Sequence, residues 1–313
     1  MATAASTSAF DREDVQFPSG GELCAAWLYR PTGAPLQKAS SSSKPRLYPV
    51  VVMAHGLGGI KEMGLDRYAS CFAELGIVCL VFDYRHLGES GGTPRQLIDI
   101  QRQLDDYVAA IDYAAQLEFV DKQRIGVFGS SFSGGHVIEV AARDKRVTAV
   151  VSQCPFTNGF HSARCAGILP MFQLLGLAIR DVLFTRKDEI VSIKLAGKPG
   201  ETAMMNSHDA MTLYDLVPPH LESEYKDYIA ARLVLHIGFY CPGWKTSKVH
   251  CPILFAICGK DSVCPSAPTL SYAKKAPKAT IMHYKDTGHF NIYTGANFDM
   301  ATKDYTKFLR SNL

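Results

Sequence analysis

Arg124-Ile125-Gly126-Val127-Phe128-Gly129-Ser130-Ser131-Phe132-Ser133-Gly134-Gly135-His136 is the stretch on which the reading of this chain turns. A short apolar run ends in a cluster of small residues and passes into a helical pattern over 132–143. Ser131 stands at the apex, where a strand-to-helix turn pushes a side chain out of the top of a sheet. Small residues on either side relieve the backbone strain of such a turn. Gly129 fills the first of these places, whereas Ser133 stands where G-x-S-x-G has its second glycine. The departure is mild, because serine is small and Gly134 and Gly135 follow. The pattern predicts a nucleophile elbow at Ser131; a Gly/Ser-rich turn with Ser130 or Ser131 as helix cap would carry the same letters.

Outward from this stretch, apolar runs at 50–54, 77–82, 125–128 and 147–152 alternate with helical patterns at 61–75, 95–117 and 132–143. Continuous Val/Ile/Leu strands separated by helices predict a mostly parallel sheet flanked by helices on both faces. Residues 15–17 and 23–29, joined by Pro18-Ser19-Gly20-Gly21, predict an antiparallel edge hairpin. A surface loop is expected over 32–44, with its run of serines from Ser40 to Ser43. The alternation stops at Pro155 and returns near Val249, with strands at 252–257 and 280–284 and helices at 267–275 and 297–309. The expected division is therefore a catalytic core of residues 1–154 and 249–313, with a helical cap inserted at 155–248.

Composition bounds the function. The 313 residues are 47% hydrophobic and 20% charged, ordinary for a globular chain. The balance of 33 basic against 30 acidic residues, with no sustained basic run, leaves no electrostatic footprint for nucleic acid. Nine cysteines form an odd set without a C-x-x-C pair, as in a reduced cytoplasmic protein. Residues 1–14 lack the basic-then-apolar order of a signal peptide. The longest charge-free apolar segment, 165–179, is interrupted by Pro170, Gln173 and Gly176 and is shorter than the ~20 residues of a membrane span. A cytoplasmic location is expected, although Ser311-Asn312-Leu313 approaches a peroxisomal Ser-Lys-Leu address without its basic middle residue.

A serine nucleophile needs a base, and the base needs an orienting acid. Asp261 follows the strand at 252–257 and His289 follows the last strand, so both are expected on loops at the carboxyl edge of the sheet. Asp286 competes for the acid role, but three residues from His289 on the same turn it is poorly placed to reach the ring. The strand 50–54 ends in His55-Gly56-Leu57-Gly58-Gly59. The backbone N–H groups of Leu57 and Phe132 are the candidate oxyanion donors, with His55 ordering the loop. Dispersed histidines, the absence of H-E-x-x-H, and glycines that spell neither G-x-G-x-x-G nor a P-loop argue against metal, dinucleotide and phosphate sites. No cofactor is expected.

With the order Ser131, Asp261, His289, the chain resembles the α/β-hydrolase superfamily over nearly its whole length. Asp83-Tyr84-Arg85-His86-Leu87-Gly88-Glu89-Ser90 matches that family's D-x-R-G-x-G-x-S loop, departing at His86. Residues 154–159, 198–205 and 289–295 resemble a branch that includes fungal thiohydrolases and polyketide transferases of secondary-metabolite clusters. The resemblance implies a thioesterase or acyltransferase that frees a polyketide or fatty-acyl group from a thioester, possessing a hydrophobic acyl substrate presented by a synthase carrier domain. A carboxylesterase or C–C bond hydrolase acting on a small hydrophobic molecule is the alternative in the same fold; a non-catalytic binding protein is the alternative outside enzymes. The apolar segment 168–184 is expected either to line an acyl tunnel or to pack as core. Phe132, Phe172 and Leu175 are the candidate substrate contacts. Pairing as a homodimer is left open.

Overall fold

The computed structural model describes residues 9–34, 47–163 and 167–313. Most of the expected loop at 32–44, including its serine run, and Cys165 lie outside the described residues. The chain begins with the hairpin β1 (Phe10–Ser19) and β2 (Glu22–Pro31), longer than the sequence suggested but with the expected turn. Strands β3 (Tyr48–Ala54), β4 (Val78–Phe82), β5 (Val120–Ser130) and β6 (Val147–Gln153) follow, with helices α1 (Leu65–Glu74), α2 (Ile100–Gln116) and α3 (Phe132–Arg143) between them. After an insertion the sheet resumes with β10 (Ile253–Cys258), α7 (Ser266–Ala273), β11 (Ala279–Tyr284) and α8 (Gly295–Asn312).

The eight strands lie in the order β1-β2-β4-β3-β5-β6-β10-β11, the first two antiparallel and the remaining six mutually parallel. Strand alternation feeds two cores. On β3, Val50, Val52 and Ala54 pack with α2 and α3, while Val51 and Met53 pack with α1 and α8. Because both faces are covered, the inner strands read as unbroken apolar runs. The side chain of Leu313 is buried in the second core, against Gly126.

Two helices start later than their periodicity suggested. Asp99 caps α2 by accepting from the Arg102 N–H at 3.0 Å, and Gln96 before it takes φ 62°, so the expected start at residue 95 moves to Ile100. Gly64, at φ 85°, breaks the expected 61–75 helix, and Lys61 is instead buried with Asp83 at 3.2 Å.

The insertion expected as a helical cap at 155–248 carries helices together with a small sheet. It holds α4 (Gly159–Ala163), α5 (Ile168–Phe184) and α6 (Val234–Ile237), but also a three-stranded sheet of order β8-β7-β9, formed by β7 (Ser192–Ala196), β8 (Ala203–Met205) and β9 (Tyr228–Ala230). Strands of three to five residues give period-2 alternation too little length to register. Asp181 on α5 is buried and anchors the helix. It accepts from Arg232 Nε at 2.7 Å and from the Val191 N–H at 2.5 Å.

Candidate active site

Ser131 leaves the end of β5 with φ 57° and ψ −117°, a conformation a side-chain-bearing residue adopts only when its surroundings enforce it. The enforcement is visible on both sides of the residue. Its N–H donates to the Gln153 carbonyl at 2.9 Å, and its carbonyl accepts from the Phe156 N–H at 2.8 Å. Gly129 packs so closely on the first turn of α3 that a Cβ would lie 2.1 Å from the Ser133 carbonyl oxygen. Gly56, in the loop after β3, sits where a Cβ would be 2.8 Å from Ser131 Cβ. That approach brings Leu57 to the serine, and Phe132 stands first in α3, where an N–H has no intrahelical acceptor.

His289 lies on the loop after β11, its Nε2 2.8 Å from Ser131 Oγ and its Nδ1 2.7 Å from Asp261 Oδ2. The other Asp261 oxygen accepts from the N–H groups of Val263 at 2.9 Å and Cys264 at 2.6 Å, which fixes the carboxylate. Asp286 is exposed and pairs with Lys260 at 3.0 Å, so the structure brings Asp261 to the ring and not Asp286. Neighbouring hydroxyls are engaged elsewhere. Ser130 Oγ accepts from Gln153 Nε2 at 2.9 Å and from Tyr293 Oη at 2.5 Å, and Ser133 Oγ bonds Tyr84 Oη at 3.0 Å and Tyr107 Oη at 2.7 Å. His55 orders its loop through Nδ1, 3.0 Å from the Gly56 carbonyl. His136 is buried between Gln103 and Tyr240, and burial holds its pKa down at about 3, so its ring is neutral.

One contributor has no sequence signal. Asp209, from the inserted segment, accepts the His289 backbone N–H on Oδ2 at 2.9 Å, and its own N–H donates to Ser262 Oγ at 3.2 Å. The insertion also touches the other side of the serine. Tyr225 Oη donates to the Gly58 carbonyl at 3.0 Å, and Leu195 packs on Gly58.

Burial opposes a charged ring at His289, but the negative charge of Asp261, followed by the influence of Cys154, the hydrogen bond to Asp261 and, least, the charge of Asp209, outweighs it and raises the pKa above the ordinary histidine value. A reaction that needs the neutral ring gains rate as pH rises through that raised pKa. The acid limb of kcat/KM is therefore expected above pH ~6.5, and Asp261→Asn, which removes the raising charge, should move it down. A limb that stays in place in Asp261→Asn would break the link between the two residues.

A cavity of about 140 Å³ opens beside Ser131. Leu57 and Phe132 border it from the core, and Phe156, Met171, Leu174, Met205 and Ile237 from the insertion. Phe172 and Leu175, the expected substrate contacts on α5, do not line it, and both side chains are exposed. Both faces of α5 are apolar, so periodicity alone could not say which one turns inward. Among the described residues no cluster of three or more His, Cys, Asp or Glu could hold a metal, and no helix is long and apolar enough to cross a membrane.

The family defined by the alpha/beta hydrolase fold matches residues 49–296. The chain belongs to the α/β-hydrolase fold family. This hydrolase is 45% identical to the quorum-quenching protein AidA of Acinetobacter baumannii over 95% of its own length and 94% of that protein's. It is 27% identical to thiohydrolase aneE of Aspergillus aculeatus, over 85% of this chain and 86% of the other. Among solved structures, the α/β hydrolase GrgF from Penicillium superposes with a TM-score of 0.75 at 21% identity, covering 96% of this chain and 99% of that one, a likeness of fold.

The two places where the hydrolase departs from its family's sequence pattern have physical explanations. Ser133, in place of the second elbow glycine, gives the buried Tyr84 hydroxyl its acceptor and also lies within hydrogen-bond distance of Tyr107 Oη, which donates to the Phe128 carbonyl at 2.8 Å as well. His86 replaces a loop glycine yet takes φ 72°; its Nδ1 lies 2.9 Å from the Pro94 carbonyl and Arg102 Nη1 donates to its Nε2 at 3.1 Å, which hold the strained residue in place.

Proposed function

We propose that this hydrolase cleaves an ester or thioester with an apolar acyl limb through an acyl-Ser131 intermediate. The observation that carries the reading is the hydrogen-bonded series Ser131, His289, Asp261 opening onto an apolar cavity. Ser131 Oγ attacks the carbonyl carbon while His289 Nε2 takes its proton, and Asp261 stabilises the imidazolium. The N–H groups of Leu57 and Phe132 donate to the developing oxyanion. His289 then protonates the departing alkoxide or thiolate, and later activates the water or alcohol that takes the acyl group from Ser131.

The thiohydrolase relatives support a thioester as the bond cleaved. On this reading the acyl group is a polyketide or fatty-acyl chain released from a synthase carrier domain in the cytoplasm. The quorum-quenching relative supports a second reading, cleavage of a signal molecule. The pocket volume of about 140 Å³ is close to the ~150 Å³ that holds a benzene ring, so about six carbons fill it and any further length of chain extends through its open mouth.

The test is a series of N-acetylcysteamine thioesters and matched nitrophenyl esters from acetyl to dodecanoyl. Each buried methylene is worth up to ~0.8 kcal/mol, so kcat/KM should climb by up to about fourfold per carbon and level off near six. Leu174→Ala should move that plateau to longer chains. A fluorophosphonate probe should leave its adduct on Ser131; an adduct on Ser130 or Ser133, or a flat chain-length profile, would overturn the proposal.

A further inference from the structure

Helix α5 has an outer face that nothing in the described protein covers. Leu169, Phe172, Ile179 and Leu183 are 69%, 68%, 44% and 67% exposed, and Leu175 and Val182 flank them. With Gly176 the stripe runs Leu169, Phe172, Gly176, Ile179, Leu183, alternating steps of three and four residues. That is the 3.5-residue period of a seam that pairs with another helix, not the broader pattern of a helix resting on a core. The inner face is separately accounted for: Met171 and Leu174 border the cavity and Asp181 is tied to Arg232.

Gly176 identifies the kind of occupant. It lies mid-helix and exposed, and a Cβ there would meet nothing within 4 Å, so no packing inside the protein calls for a glycine at a position where alanine favours the helix. At the centre of an apolar stripe, a missing side chain lets a second backbone approach closely. A lipid surface has no use for such a gap. The stripe is also symmetric about this point, with Leu169 and Leu183 equally distant and Phe172 and Ile179 nearly so. A stripe that reads alike in both directions is complementary to itself under a two-fold axis.

We infer that a second copy of the chain docks on this face, the two α5 helices packing antiparallel with their axis of symmetry near Gly176. The area is adequate: at up to roughly 200 Å² for a large apolar side chain, the six exposed residues offer about 700 Å², near the ~800 Å² each partner contributes to a stable interface. Gln173 and Arg180 lie along one edge of the stripe and supply a polar rim. The inference does not depend on which bond the enzyme cleaves.

Sedimentation equilibrium on the full chain across the micromolar range tests it. The wild type should sediment at twice the chain mass, and Phe172→Glu and Leu183→Glu should each halve that mass while far-UV circular dichroism stays unchanged, since both side chains are exposed within one copy. Gly176→Cys should be joined to its counterpart by a short bismaleimide, with peptide mapping placing the link at position 176 of both copies. A wild type that stays monomeric, including one that instead pellets with phosphatidylcholine vesicles, would overturn the inference. So would a dimer that survives both glutamate variants, or one whose Gly176→Cys form cannot be linked at that position.

Discussion

His289→Ala is expected to lower kcat by about 10⁴- to 10⁶-fold, with KM changed far less. Among the described residues the ring is the only group that touches both Ser131 Oγ, at 2.8 Å, and Asp261 Oδ2, at 2.7 Å. Its work is confined to steps in which a proton moves, so the loss appears in turnover and not in binding. Folding should survive, which far-UV circular dichroism would report alongside steady-state rates. Asp261→Asn should fall in the same direction by a similar or smaller factor, because the asparagine keeps the shape but no longer stabilises a charged ring. Asp286→Asn should leave activity intact, since that side chain is paired with Lys260 in solvent. An inactive Asp286→Asn beside a fully active Asp261→Asn would reassign the acid.

Gly129→Ala should be a severely damaging one-carbon change. The added carbon would fall 2.1 Å from the Ser133 carbonyl oxygen and 2.5 Å from its carbon, both main-chain atoms that cannot rotate away. Either the first turn of α3 lifts off the end of β5 or the protein does not fold. The expected cost is at least about 3 kcal/mol in denaturant unfolding. Any folded fraction should be at least 10²-fold less active, because lifting α3 displaces Phe132 from the serine. A variant with wild-type stability and rate would mean that the elbow is not held by this contact.

Most of the sheet was legible from residue letters, because buried parallel strands such as those at 50–54 and 147–152 announce themselves as apolar runs. Ser131, Asp261 and His289 were legible for a related reason: each follows a strand, and strand ends in this topology converge on one edge. What escaped was set by contacts between distant segments. The small sheet of β7, β8 and β9 pairs over too few residues to leave a pattern. The helix at 61–75 was shortened by the left-handed turn at Gly64, which periodicity does not encode. Phe172 and Leu175 were assigned to the cavity because α5 carries apolar residues on both faces, and the anchoring of Asp181 to Arg232 is a contact between distant segments that the residue letters do not reveal. Asp209 could not be found at all, since a lone loop aspartate gives no sign that its partner is a main-chain N–H eighty residues away.

That aspartate restricts how enzymes of this family can exchange parts. Recombination that moved residues 155–248 as a block onto another hydrolase would carry Asp209, Tyr225 and Leu195 away from His289, Ser262 and Gly58, the groups to which each is matched. A chimera would inherit a new substrate cavity and, with it, an unsupported base loop and a loosened oxyanion loop. Residues in one hydrogen-bonded network do not contribute additively. The inserted segment and the two loops beneath it should therefore be inherited together, and specificity in such a lineage would change by single substitutions around Met171 and Leu174 more readily than by shuffling.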